Sequence, residues 1–311
     1  MQPRLPPHWG VLLAGCLALM GTALAQTAYK YRDADGNWVF TDRTGSAHAA
    51  ASLSLEHPPE ALHIEVEEHT TGQTTQLVGS NGCLCPITLR LLIVKSELTA
   101  LPAGSRFQAA LEPGESKILA LSPGLPVGVG ALKFQWTAVL GSPRAVHAPP
   151  RPYRAPFALA ETHVISQAYP TRSTHVTPDS QYAVDIALAD ETPIYAAREG
   201  TVVNVRHDSF RGGVEAAMLD QANVVEILHD DGTIAVYGHL HWDSIRVHVG
   251  QQVALGQYIA NSGNTGFTSG PHLHFAVLKN SGGNSVSVPI QFAGMGGTAV
   301  TPVTSMALTA Y

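Results

Sequence analysis

Charge is scarce in this sequence. Asp, Glu, Lys and Arg make up 14% of its 311 residues, the formal net charge is −6, and the Lys and Arg form no block. That argues against a nucleic-acid partner, because phosphate recognition rests on a basic patch. Cysteine is scarcer still. The three present, Cys16, Cys83 and Cys85, are too few for the four-ligand zinc sites that CxxC pairs build. Long apolar runs are missing as well. The run Gly10–Ala25 falls short of the roughly 20 residues a membrane span needs. No helical periodicity is sustained. No HExxH motif occurs, so a metalloprotease with a glutamate base beside paired ligands is excluded.

Glycine and proline, by contrast, are plentiful at 29 and 21 residues, and short apolar runs alternate with turn signals. This is the pattern of a mainly β protein. Residues 1–25 read as a secretory leader, with Arg4 ahead of the apolar run and Ala23-Leu24-Ala25 as a small-residue cleavage site. The competing feature is LAGC, Leu13–Cys16, which looks like the box ahead of a lipid-modified cysteine. Residues 26–60 begin with AYKYRDADGNWVFTDR, a hairpin pattern around a strong turn signal. It resembles a short N-terminal module of proteobacterial envelope proteins, and a Ser/Ala/His/Pro-rich linker follows it. Residues 61–150 hold runs such as ITLRLLIVK and LKFQWTAVLG, which predict a small β-sandwich-like domain serving as spacer or binding module. Its NGCLCPI segment predicts a local disulfide or two thiols on a loop. After the proline-rich HAPPRPYRAPF, residues 151–291 again read as strands joined by glycine-rich turns, and residues 292–311 as a loosely held tail.

The chemistry concentrates in 151–291. In SGPHLHFAV, residues 269–277, strand geometry puts His272 and His274 side by side, with Leu273 and Phe275 on the other face. YGHLHWD repeats the pattern with His239 and His241. In YAVDIAL, Asp185 shares its face with Ala183 and Ala187, leaving its carboxylate free to meet a cation. A catalytic zinc needs about three such ligands and an open position for water. An HxH pair alone also occurs in cupins, but a cupin's glutamate shortly after it is missing from HLHFAVLKN.

Taken in order, YAVDIALADETPIYAAREGTVV, NVVEILHDDGTIAVYGHL and GNTGFTSGPHLHF resemble the LytM/lysostaphin family of zinc metallopeptidases, over roughly residues 160–291. The resemblance implies a LytM-like antiparallel β-sandwich catalytic domain. It implies one Zn2+ per chain, with Asp185 and His274 as ligands and His239 and His272 as catalytic histidines. His241 has no counterpart in the family motif and reads as a polar residue past a strand end. His229 reads as a turn residue and His207 as solvent-facing. The family's usual first ligand lies four residues before the aspartate, where this chain has Gln181. A sub-branch carries that histidine on a longer loop, and RSTHVTPDSQYAVDIA is similar to it. That makes His175 the ligand, with His163 as the other candidate. GNTGFTSG, residues 263–270, is expected to form a flexible wall of a groove. The implied activity is hydrolysis of peptide cross-links in peptidoglycan stem peptides, in the periplasm or envelope of a Gram-negative bacterium. The alternative is an inactive LytM-like domain that binds peptidoglycan or regulates another hydrolase.

Overall fold

The computed structural model describes residues 27–32, 38–41, 51–54, 63–124, 131–171 and 173–311. The leader, Cys16 and the DADGN turn lie outside them. Among the described residues no helix is long and apolar enough to cross a membrane. The chain forms two compact units, Met1–His57 and Pro58–Tyr311.

In the first unit Thr27–Arg32 pairs antiparallel with Trp38–Thr41, as the hairpin pattern predicts. Its other edge pairs with Ala51–Ser54. Those four residues were expected to be linker. An isolated two-stranded hairpin is marginal, and its unpaired edge recruits a third strand.

The second unit begins with two three-stranded antiparallel sheets. One is ordered Ile64–Thr71, Thr74–Asn81, Ser116–Pro123, and the other Arg106–Leu111, Ile87–Ser96, Leu132–Leu140. Period-two alternation buries Ile87, Leu89, Leu91 and Ile93 on one face of their strand. The sheets meet over Leu77, Leu91, Ile93, Leu98, Leu101 and Ala120. A second cluster joins Cys83, Cys85, Ile87, Leu89 and Leu111 to Val203 and Ile234 of the C-terminal sheet. Residues 61–150 are therefore no free spacer. Buried Asn280 locks the contact, its Nδ2 donating to Thr88 Oγ1 and Gly141 O at 2.8 Å each. Cys83 and Cys85 are free thiols inside this core. Burial pushes them up to about 11 and about 12, which leaves them protonated and inert at neutral pH.

The C-terminal sheet has nine strands. In spatial order eight of them are Gln252–Val253, Gly200–Arg206, Val224–Leu228, Ile234–Gly238, His272–Ser281, Val184–Ala187, Thr162–Gln167 and Ala307–Thr309. Asn284–Ser287 folds back on the far end of His272–Ser281. Tyr153, Phe157, Tyr237, Phe275 and Phe292 fill the core behind it. The last strand corrects the expectation of a loose tail. Ala307–Thr309 pairs with Thr162–Val164, and Leu308 and Ala310 are buried. Without it the strand Thr162–Gln167 would present an unpaired edge.

His229 does occupy a turn, its carbonyl accepting from Gly232 N at 3.1 Å. Its ring is buried, however, with Nδ1 donating to Glu199 O at 2.7 Å. Burial pushes it down to about 4. The unfolded chain takes up this proton near pH 6.5 and the folded chain resists until about pH 4. Folding stability is therefore expected to fall with pH across that window. Denaturant titrations at a series of pH values check this, and a His229→Gln chain should lose that component of the slope.

Candidate metal centre

Three neighbouring strands build the site. Asp185 on Val184–Ala187 stands opposite His274 on His272–Ser281, and His272 stands opposite Ala187. On the other side of that strand Gly238 faces His274. Burial alternates along HLHF, with Leu273 and Phe275 in the core and both histidines turned the other way.

Side chains converge on the Asp185 carboxylate. His274 Nδ1 lies 2.9 Å from Oδ1, and His175 Nε2 lies 3.1 Å from Oδ2. His175 arrives on the loop between Thr162–Gln167 and Val184–Ala187 and is 3% exposed. Ligand atoms from the three residues all lie within 4.8 Å of one another. Burial alone would push the Asp185 carboxyl up. Hydrogen bonds from His175 and His274, together with their charge, outweigh it and hold the group well below the usual carboxylate range.

His239 and His272 flank this cluster with their ring centroids 4.5 Å apart. His239 follows the end of Ile234–Gly238 with φ of 61°, a left-handed conformation held by its surroundings. Its Nδ1 contacts Thr265 O at 2.6 Å, and His272 Nδ1 contacts Gly270 O at 2.8 Å. A carbonyl oxygen only accepts, so in both rings Nδ1 carries the proton and Nε2 presents a lone pair. Burial, then the neighbouring His272 and His274, pushes His239 down to about 4.

The other candidates lie elsewhere. His163 pairs with Glu161 at 3.1 Å and meets Phe157 edge-on. His241 sits 3.6 Å from Glu191. His207 is exposed, and Gln181 is engaged through its backbone N–H with Thr177 O. The 263–270 loop is tied down more than expected. Gly266 N donates to Arg211 O, and Thr268 N to Gly213 O, at 2.8 and 2.9 Å.

Two supporting residues escaped the sequence reading. Buried Asn223 bonds Ser209 and Leu240 and, through its N–H, the Thr265 hydroxyl, which fixes the carbonyl that orients His239. Gln167 is the second. Its Nε2 donates to Asp185 Oδ2 at 3.3 Å and to Thr174 Oγ1 at 2.9 Å. Its Oε1 accepts from Ser173 N and Thr174 N. One side chain thus ties the carboxylate to the loop that carries His175. The signal was available, since Gln167 occupies the same buried phase as Ile165 in THVISQ, where an apolar residue is the norm. A Gln167→Leu chain is expected to bind metal about 10–100-fold more weakly, as read by competition with a chromogenic chelator.

Two imidazoles and a carboxylate suit a divalent cation of borderline softness. Tetrahedral coordination at about 2.0–2.1 Å sets ligand atoms roughly 3.3 Å apart, and one ligand atom from each of the three residues lies within 4.8 Å of the others. The residues fit a metal. The fold and site together define a mainly antiparallel β domain with a histidine–aspartate cluster that could hold a metal ion. Residues 179–287 match Peptidase family M23. The match starts after His175. Residues 15–68 match DUF4124, a domain of unknown function. The chain is 34% identical over 127 residues to lysostaphin of Staphylococcus simulans, covering 39% of this chain and 24% of that protein. It is 37% identical over 94 residues to the peptidoglycan DD-endopeptidase ShyA of Vibrio cholerae, covering 30% and 19%. The solved catalytic domain of S. simulans lysostaphin aligns at 28% identity over 38% of this chain and 80% of that one, with a TM-score of 0.28. The chain spans about a quarter of the length of the first curated relatives it matches.

Proposed function

We propose that this protein is a zinc-dependent endopeptidase that hydrolyses peptide cross-links of bacterial peptidoglycan in a Gram-negative envelope. The observation that carries this is the convergence of His175, Asp185 and His274 beside two further histidines, each with its Nδ1 tied to a backbone carbonyl. The names of its relatives, lysostaphin and a peptidoglycan DD-endopeptidase, support the substrate.

His175, Asp185 and His274 would hold one zinc per chain. Bound there, zinc supplies a Lewis acid for the scissile carbonyl and a water acidified from about 15.7 toward about 7. The chain's own residues handle the protons. His239 stays unprotonated down to about pH 4, so at neutral pH its Nε2 can accept a proton and return it readily to the departing amine. His272 presents its Nε2 to the same space. In both rings the Nδ1–H bond to a fixed carbonyl sets the orientation and stabilises the charged form once a proton is taken. The inactive-regulator alternative draws no support from this site, in which ligands and flanking histidines are all assembled.

The test is zinc content and muropeptide release on the purified chain. About one zinc per chain and release of un-cross-linked muropeptides, abolished by a chelator and restored by zinc, is the expected result. Stoichiometric zinc without release from sacculi or from soluble cross-linked dimers would sink the endopeptidase reading.

A further inference from the structure

The two sheets of the small sandwich differ in charge. Ile64–Thr71, Thr74–Asn81 and Ser116–Pro123 carry Glu65, Glu67 and Glu68 against one lysine, Lys117. Arg106–Leu111, Ile87–Ser96 and Leu132–Leu140 carry Arg90, Lys95, Arg106 and Lys133 and no carboxylate at all. On this second sheet Leu91, Phe107 and Phe134 turn into the core, so Arg90, Arg106, Gln108, Gln135 and Thr137 stand on the outer face. They form two cross-strand rows, Arg106–Leu92–Gln135 and Gln108–Arg90–Thr137. The rows line a groove of about 570 Å³ that Leu91, Phe107 and the exposed Trp136 also border.

The face is electrostatically incomplete. The Arg106 side chain has no hydrogen-bond or carboxylate partner among the described residues, while Arg90 reaches neutral oxygens, of Gln108, Asn284 and Gly282. Lys95 stands directly opposite Lys133 in the register, and like charges so placed destabilise a sheet unless an anion lies between them. Guanidinium forks bind carboxylates, and amide and hydroxyl side chains bind peptide groups. Rows two residues apart are separated by about 7 Å, the repeat of an extended peptide. The occupant that matches is an extended peptide bearing carboxylates.

The groove also has a fixed place relative to the metal centre. The turn that Arg90 grips, Gly282–Asn284, closes the hairpin at the far end of the strand that begins with His272. Ser281 lies seven steps beyond His274 on that strand, a span of about 24 Å. We propose that this outer face anchors carboxylate-bearing stem peptides of peptidoglycan while a neighbouring cross-link occupies the metal centre; the proposal rests on the cell-wall reading above. Holding one stem peptide raises the effective concentration of the next.

The test uses the whole chain, chelated so that nothing is cut, in co-sedimentation with purified sacculi. Parallel arms use sacculi stripped of stem peptides by an amidase, and vesicles of anionic phospholipid. Binding to intact sacculi that weakens with salt, and that falls about tenfold in an Arg106→Glu/Lys133→Glu chain, is the expected result. Arg106→Gln keeps the size of the side chain and should show a smaller loss if the double variant folds poorly. Equal binding to stripped sacculi, stronger binding to vesicles, or no change in either variant overturns the proposal. Turnover separates the two readings. The double variant should cut soluble cross-linked dimers at the unaltered rate and sacculi more slowly. If the unaltered chain cuts neither, the endopeptidase reading fails while the binding arms still decide the groove.

Discussion

A His175→Ala chain is expected to lose its zinc and, with it, all measurable release of cross-linked peptides. Among the described residues three could ligate at the centre, and His175 Nε2 is the one arriving from outside the sheet. Without it the remaining pair, Asp185 and His274, is one ligand short of what a catalytic zinc requires. The loss should exceed the roughly 10–100-fold that follows removal of an outer hydrogen-bond partner. His163→Ala is the control. That ring pairs with Glu161 and Phe157, so zinc and turnover should both survive. His272→Ala separates metal from chemistry. It should keep zinc, because the three ligands are untouched, and slow turnover by about 10²–10⁴-fold, the range for a lost proton-transfer group. Metal analysis and muropeptide chromatography on the same preparations read all three. Zinc and cleavage that survive His175→Ala would mean that the first ligand is another residue.

A Phe275→Ala chain is expected to be the least stable single variant in the C-terminal sheet. Phe275 is fully buried, lies between Val184 and Tyr237 in the register, and meets the rings of Tyr153, Tyr237 and Phe292. Removing such a ring costs about 3–5 kcal/mol, part transfer and part cavity. For a unit of this size that lowers the melting temperature by roughly 10 °C. Phe275 also adjoins His274 in the chain. The collapse of its pocket should therefore loosen the metal site, and calorimetry with and without zinc should show a smaller metal-induced rise than in the unaltered chain. Phe275→Leu, which keeps most of the volume, should cost less than half as much. A melting temperature unmoved by Phe275→Ala would contradict the packing described here.

The sequence made the strand class and the face shared by His272 and His274 legible because both follow from a local period of two. Asp185 was legible for the same reason, as a carboxylate among small residues. What escaped depends on contacts between residues distant in sequence. Gln167 was a polar residue in a buried phase, and only the arrival of the Ser173–His175 loop shows what it holds. The left-handed turn at His239 has no marker in YGHLH. Ala307–Thr309 read as tail because three residues carry almost no pattern, yet an open edge captures them. Residues 61–150 read as a spacer because their alternation describes their own sandwich. It is silent about Val203 and Ile234 on the other side.

That shared core bears on how the protein can be handled and how it can evolve. A fragment cut at residue 150 to isolate the C-terminal sheet would bare Val203 and Ile234 to water. It would also strip Asn280 of the Thr88 and Gly141 partners that its amide requires. Such a fragment should be prone to self-association, and the sandwich should resist being exchanged for another module. Recombination that preserves function would have to move the two together, as a single cassette.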